Sequence, residues 1–257
     1  MAREVSDLPR LAVSVDQIEA LRARKGGKAN RLMITPTNGD PPLQYNHRDF
    51  LHRCAISDEI IDGRPYYSLD IDSRTALQER WGLSNEAVRG DGIVIPRHSP
   101  DGTETYPQIR YTPPKDDQKY TCPVGSGGVV DVHPSATARA QDVDEPIVFV
   151  ESIKGADALL SNGLLAAGFH GVYGWKHNKG PSFELKKIPL AGRDVGILFD
   201  ADATRRDYLR RAIEELSTIL GFAGARVCIM ELPDSVGEKA GVDDYLAVLG
   251  SLAGAVR

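Results

Sequence analysis

VGILFDADAT, residues 195–204, is an apolar run that ends abruptly on two acids one residue apart, Asp200 and Asp202. About fifty residues earlier, PIVFVESIKGADALL (146–160) does the same, running out of its apolar stretch onto Glu151. A continuous apolar run suits a strand whose sheet is covered by helices on both faces. The segments around these two runs alternate in kind. KGADALLSNG reads as a helix closed by Gly163, GVYGW as a second strand and DVGILFDAD as a third. TRRDYLRRAIEELSTILG reads as an amphipathic helix ending at Gly221, ARVCIMELP as a fourth strand and VDDYLAVLG as a final helix. This alternation predicts an α/β domain over 145–257, its mostly parallel sheet flanked by helices. Ligands of such sheets bind outside the carboxyl ends of the strands.

An acid at the lip of a buried sheet costs free energy unless it is solvated, paired or holding a cation. Glu151, Asp200 and Asp202 all fall at carboxyl ends, and Asp243 and Asp244, after the turn SVGEKAG, can reach the same edge. Such a set suits Mg²⁺ or Mn²⁺, since a hard divalent ion takes a few carboxylates together with water and phosphate oxygens. Two acids at i, i+2 ligate or orient water, and a third from a neighbouring strand acts as acid or base. Singly, each has a plainer use. Glu151 or Asp202 could cap the helix that follows it, and Asp243 and Asp244 could cap VDDYLAVL. Capping does not explain why they converge on one edge.

The rest of the 257 residues reads differently. VSVDQIEALRAR has helical spacing and runs into a basic, Gly-rich arm, so residues 1–45 read as a helix and a mobile tether or nucleic-acid arm. Over 46–92 the pattern is short helices, with Ser57 or Asp58 and Asp72 or Ser73 as candidate caps and no evident chemistry. GIVIP and YPQIRY are strands joined by the turn signal SPDG. Arg97, Arg110, Lys115 and Lys119 lie there among Tyr106, Tyr111 and Tyr120, which suits either phosphate and base contacts or a solvated sheet face. Residues 46–140 thus form a smaller α+β unit. Lys176, Lys179, Lys186, Lys187 and Arg193 crowd the segment before the third strand as a second basic patch.

Net charge is −5, so a nucleic-acid surface would have to be local. No apolar run approaches the roughly 20 residues of a membrane span. The N-terminus lacks a signal-peptide core, and Cys54, Cys122 and Cys228 are scattered, so a reducing, cytoplasmic setting without membrane is expected.

VFVES, LFDAD and GVDDYL resemble, in order and spacing, the acidic motifs of the TOPRIM domain shared by bacterial-type primases, topoisomerases and some nucleases. GIVIPRHSPDG, YPQIRY and QKYTCPVGSGG resemble the segment preceding TOPRIM in primase catalytic cores. The succession DFLHRCAIS, IVIP, KY, VESIKGADAL, GVYGW, FDAD and VDDYL is similar to primase-like proteins of plasmids, phages and integrated elements that carry DUF3854. The resemblance covers roughly residues 46–250. It implies a nucleotidyltransferase that uses Mg²⁺ or Mn²⁺ to make short primers on single-stranded DNA from nucleoside triphosphates, with a replicative helicase or other replication proteins as partners. It implies Glu151, Asp200 and Asp202 as catalytic and metal residues, with Asp243 and Asp244 supporting a second metal. Arg97, Arg110, Lys119 and Lys154 would contact template and nucleotide, with Lys176 and Lys179 as a further patch. Ser152 departs from the family's glycine after the acid. A TOPRIM nuclease and a non-catalytic accessory domain are the competing readings. Primer type, start site, metal number and oligomeric state stay open.

Overall fold

Short helices and an antiparallel sheet lead into a layered α/β arrangement. The computed structural model describes residues 10–12, 42–103, 105–116, 118–126, 128–178, 180–201, 206–233, 237 and 240–255. The helix expected over VSVDQIEALRAR, the basic arm, Asp202 and Lys179 therefore lie outside the described residues. Strand β1 (Arg10–Ala12) comes first, followed by helices α1 (Tyr45–Arg53) and α2 (Asp58–Gly63), strand β2 (Tyr67–Ser68) and helix α3 (Ile71–Trp81). Asp70, rather than Asp72 or Ser73, caps α3. Its carboxylate accepts from Ser73 N at 2.8 Å while Ser73 Oγ accepts from Asp70 N at 2.8 Å, a reciprocal capping box.

Strands β3 (Gly92–Ile95), β4 (Gln108–Lys115) and β5 (Gln118–Thr121) join β2 in an antiparallel sheet of order β2-β3-β4-β5. The expected SPDG turn forms, with Gly102 N donating to Ser99 O at 2.8 Å. Side chains alternate between the faces of a strand, and β3 uses both. Ile93 and Ile95 enter the main core, while Val94 joins Leu69, Leu77, Leu83, Val88, Ile109 and Tyr111 in a smaller one under α3.

The remaining elements are β6 (Asp131–Val132), α4 (Thr137–Ala140), β7 (Ile147–Val150), α5 (Ile153–Ser161), β8 (Ala166–Gly168), β9 (Lys176–His177), β10 (Gly180–Pro181), β11 (Asp194–Leu198), α6 (Asp207–Phe222), β12 (Arg226–Glu231) and α7 (Val242–Ala255). Six strands form one sheet, β1-β12-β11-β7-β8-β6. All its neighbouring pairs are parallel except β6 with β8. Two of these strands, β1 and β6, come from outside 145–257. Leu51, Ile56, Ile60 and Ile61 share one continuous core with β7, β11 and β12, so the helical segment is welded to the sheet.

GVYGW is not a strand; β8 is the preceding Ala166–Gly168. Gly171 adopts φ +77°, and a Cβ on Gly174 would lie 2.4 Å from His170 N. The two glycines therefore fold the segment into a tight turn, with Trp175 buried and its Nε1 donating to Val172 O at 2.9 Å.

Candidate functional site

Three buried rings brace the strand ends that carry the acids. Phe149 of β7 stacks on Phe169, just past β8, at 5.4 Å and 6° between planes. Phe199, just past β11, meets Phe169 edge-on at 6.3 Å. Such pairs add about 0.5–1.5 kcal/mol each beyond area burial, so Glu151, His170 and Asp200 depart from a well-packed edge. β7 and β11 are neighbours with Val150 opposite Leu198. Glu151 and Asp200 thus leave the carboxyl ends of adjacent strands.

Ser152 explains its own departure from the family pattern. Its backbone is extended (φ −136°, ψ 146°), and its Oγ accepts from Gly155 N at 3.0 Å to cap α5. The turn needs no glycine at 152, and the capping role falls to Ser152 rather than Glu151. Glu151 O accepts from Gly171 N at 2.9 Å, fastening the edge to the turn after β8. Helix α6 begins at Asp207 with Arg206 at its N-cap position.

Asp200 meets α7 through a glycine. Ala201 N donates to Ala240 O at 3.1 Å. A Cβ on Gly241 would lie 2.9 Å from Asp243 Oδ1 and 3.1 Å from Asp200 Oδ1. Two carboxylates therefore face one small space that any side chain at 241 would crowd. The donor set suits a hard divalent cation, which prefers carboxylate oxygen. Asp243 is buried, at 4% exposure. Asp244 is exposed, and its Oδ2 accepts from Gly241 N at 3.0 Å, the bond a capping residue makes at a helix start. Among the described residues no group of three His, Cys, Asp or Glu side chains gathers as a metal cluster.

A cationic and aromatic face lies beside these acids. Lys154 on α5 pairs with Asp243 Oδ2. Burial pulls the ammonium down, but Asp243, Cys54 and Tyr120, Asp243 foremost, together hold Lys154 above its ordinary range. Cys54, at the C-cap of α1, shares this environment, its thiol pushed up to about 11 by burial while Lys154 pulls the other way. Burial also raises the Tyr120 hydroxyl, against the charges of Lys154 and Arg110. Arg110 of β4 lies 3.9 Å over the Phe50 ring and 5.9 Å from that of Tyr120. Its Nη1 donates to Tyr111 O at 3.3 Å, its Nε is buried without a partner, and no carboxylate pairs with it among the described residues. Lys119 is exposed on the edge strand β5.

The other basic candidates go elsewhere. Arg97 is fully buried, against the expectation of a nucleotide-facing residue. Its Nη1 meets Cys122 Sγ at 3.6 Å and its Nη2 meets Val129 O at 3.3 Å. Its carbonyl accepts from Thr105 N at 2.7 Å, which holds the hairpin closed against it. Lys176 pairs with Glu215 on α6 and lies 4.7 Å and 4.9 Å from the Tyr173 and Trp175 rings. Lys187 pairs with Asp101 at 2.7 Å, and Arg193 is buried among the carbonyls of Arg139, Ala140, Glu145 and Pro189.

Three residues gave no sequence signal. Phe50 sits at helical spacing in HRDFLHRCA and reads as core. Gln108 hydrogen-bonds His170 Nδ1, joining β4 to the turn after β8. Burial and the nearby Arg97 charge lower the His170 pKa.

This arrangement is the fold of primase catalytic cores. The chain is similar to the Aquifex aeolicus primase (zinc binding and RNA polymerase domains), with a TM-score of 0.58 and 16% identity over 83% of this chain and 55% of that one. It is similar to the DnaG primase catalytic domain bound to ssDNA, with a TM-score of 0.55 and 16% identity over 82% of this chain and 70% of that one. It also resembles the E. coli primase catalytic core, with a TM-score of 0.52 and 18% identity over 81% and 71%. At these identities the likeness is one of fold, and the chain spans about half the length of the Aquifex protein. Residues 139–253 match the family described as Domain of unknown function (DUF3854). No curated protein matches in sequence. No helix among the described residues is long and apolar enough to cross a membrane.

Proposed function

We propose that the chain is the catalytic core of a primase, joining nucleoside triphosphates into short primers on single-stranded DNA. In this reading 145–257 is a TOPRIM-type catalytic domain, 46–140 the unit facing nucleotide and template, and 1–45 an arm. The observation that carries it is the shared space between Asp200 and Asp243 beside the Arg110–Phe50–Tyr120–Lys154 face. An acidic pocket and a cationic, aromatic surface side by side suit a reaction between phosphates on a stacked strand. Asp200 and Asp243, with Glu151 on the adjacent strand end and Asp202 as the sequence suggests, would hold Mg²⁺ or Mn²⁺. The bound ion would polarise phosphoryl oxygens and stabilise charge on the attacking and leaving groups. Glu151, on the adjacent strand end, takes the proton of the attacking hydroxyl. Arg110 and Lys119 bind backbone phosphates, and Phe50 and Tyr120 back the guanidinium.

Incubation with single-stranded DNA, labelled NTPs and Mn²⁺ or Mg²⁺ tests the proposal. Labelled oligomers are expected from the wild type and should fall at least about 100-fold in Asp200→Asn and Glu151→Gln, the scale of losing a main catalytic group. Degraded DNA would replace the primase with a nuclease. DNA binding without either product, indifferent to both substitutions, would make this an accessory domain.

A further inference from the structure

Asp243 serves two neighbours with its two oxygens. Oδ1 faces the space shared with Asp200 at Gly241, while Oδ2 holds the Lys154 ammonium. The pair is largely shielded, with side-chain exposures of 15% for Lys154 and 5% for Asp243. A cation entering beside Oδ1 draws on the same negative charge that the ammonium already neutralises. Two cations on one shielded carboxylate repel each other strongly, since buried charges are poorly screened.

The lysine has a second place to go. Its Nζ lies 5.9 Å from the Phe50 ring, the same ring that Arg110 covers at 3.9 Å. The titratable groups that act on the ammonium are Asp243, Cys54 and Tyr120, and Arg110 acts on the same thiol and hydroxyl. Among them Asp243 is the carboxylate that the ammonium pairs with. An anion arriving over Arg110 would offer the ammonium an alternative partner within reach of its flexible stem.

Taking the proposed cation site at Asp200 and Asp243 as given, we infer that Lys154 is its built-in counter-ion. The ammonium neutralises Asp243 while no divalent ion is bound, and entry of the ion turns it towards the Arg110–Phe50 face, where triphosphate oxygens receive it. Ion and ammonium compete for one carboxylate, and ion and nucleotide therefore bind with positive coupling. By linkage that coupling is reciprocal. Lys154 acts as a positioning residue that reports metal occupancy to the nucleotide side.

Calorimetric titration of the full chain with Mn²⁺ alone separates the ideas. Lys154→Met should bind Mn²⁺ about tenfold tighter than wild type, a usual size for coupling between two ligands, and Lys154→Arg should bind like wild type. If Lys154→Met does not fold, as judged by circular dichroism, Lys154→Gln makes the same comparison with a neutral donor left on Asp243. A second titration uses a fluorescent ATP analogue with and without saturating Mg²⁺. The factor by which Mg²⁺ tightens the analogue should be smaller in the neutral variant than in wild type. Equal Mn²⁺ affinity in wild type and neutral variant, with Asp200→Asn abolishing binding, overturns the counter-ion role and leaves the cation site standing. Binding unaffected by Asp200→Asn, or absent from every protein tested, removes the site and the inference with it.

Discussion

Two clusters tie the first half of the chain to the sheet, and they are built on opposite principles. In the first, Arg64 is fully buried and spends all five of its N–H donors. It bonds both carboxylate oxygens of Asp157 at 2.8 and 2.9 Å, both of Asp131 at 2.9 and 2.6 Å, and Pro96 O at 2.8 Å. Tyr66 donates to Asp157, and His98 N donates to Asp131 at 2.8 Å. In the second, Arg110 has an aromatic ring beneath it, one long bond to a carbonyl and a buried Nε with no partner. A closed network fixes one geometry, because each member removed leaves another uncompensated. An incomplete one beside a carboxylate pocket retains binding capacity. The contrast sets a junction whose guanidinium is fully paired beside one whose guanidinium is not.

The largest effect that tests this contrast is loss of Arg64. Arg64→Ala leaves Asp131 and Asp157 buried without their counter-charge, and urea denaturation should show a loss of about 3–5 kcal/mol, the usual cost of breaking a buried pair. A loss below about 1 kcal/mol, typical of a surface pair, would mean the network is not the weld it is taken to be.

The same junction should give stability a pH dependence. Burial first, and then the Arg64 charge, lower the His98 pKa to about 4, and its Nδ1 has no partner. His133 shifts the same way for the same leading reason. An unfolded histidine takes its proton near pH 6.5, so between about pH 6.5 and 4 the unfolded chain binds more protons than the folded one. Stability is therefore undiminished by His98 above pH 6.5 and falls as pH drops through that window, by at most about 1.4 kcal/mol per pH unit for one group. Asp131, held below its ordinary range by Arg64 against the opposing effect of burial, extends the loss at still lower pH. His98→Gln should flatten the upper part of the curve in urea melts at stepped pH. An unchanged slope would place the titration elsewhere.

These two junctions differ in how far the sequence discloses them. Strands ending on Glu151 and Asp200 are legible because a continuous apolar run that stops on an acid has few other uses. The SPDG turn is legible because its residues encode its dihedrals. Arg64 is not, since its partners Asp131 and Asp157 lie 67 and 93 residues away and no local spacing links them. GVYGW misleads because aromatic and β-branched residues favour strands, while two glycines impose a turn. Arg97 and Arg110 look alike as basic residues near strands. Only packing sends one to the interior and leaves the other beside the acids.

A small effect on stability, and the sharpest on binding, belongs to Arg110→Ala. A guanidinium over a ring at a partly exposed site contributes about 0.5–1 kcal/mol, so the melting curve should move little. If Arg110 contacts a DNA phosphate, single-stranded DNA should bind more weakly whatever its sequence. The slope of log affinity against log salt should then flatten by about 1, because one fewer counterion is released. Lys119→Ala, on the exposed edge strand, should add its own flattening with no change in stability. If Arg110→Ala instead costs several kcal/mol and leaves the salt slope intact, the second junction is structural like the first. The cationic face would then be a cover for the sheet edge, and the nucleic-acid surface must be sought elsewhere on the chain.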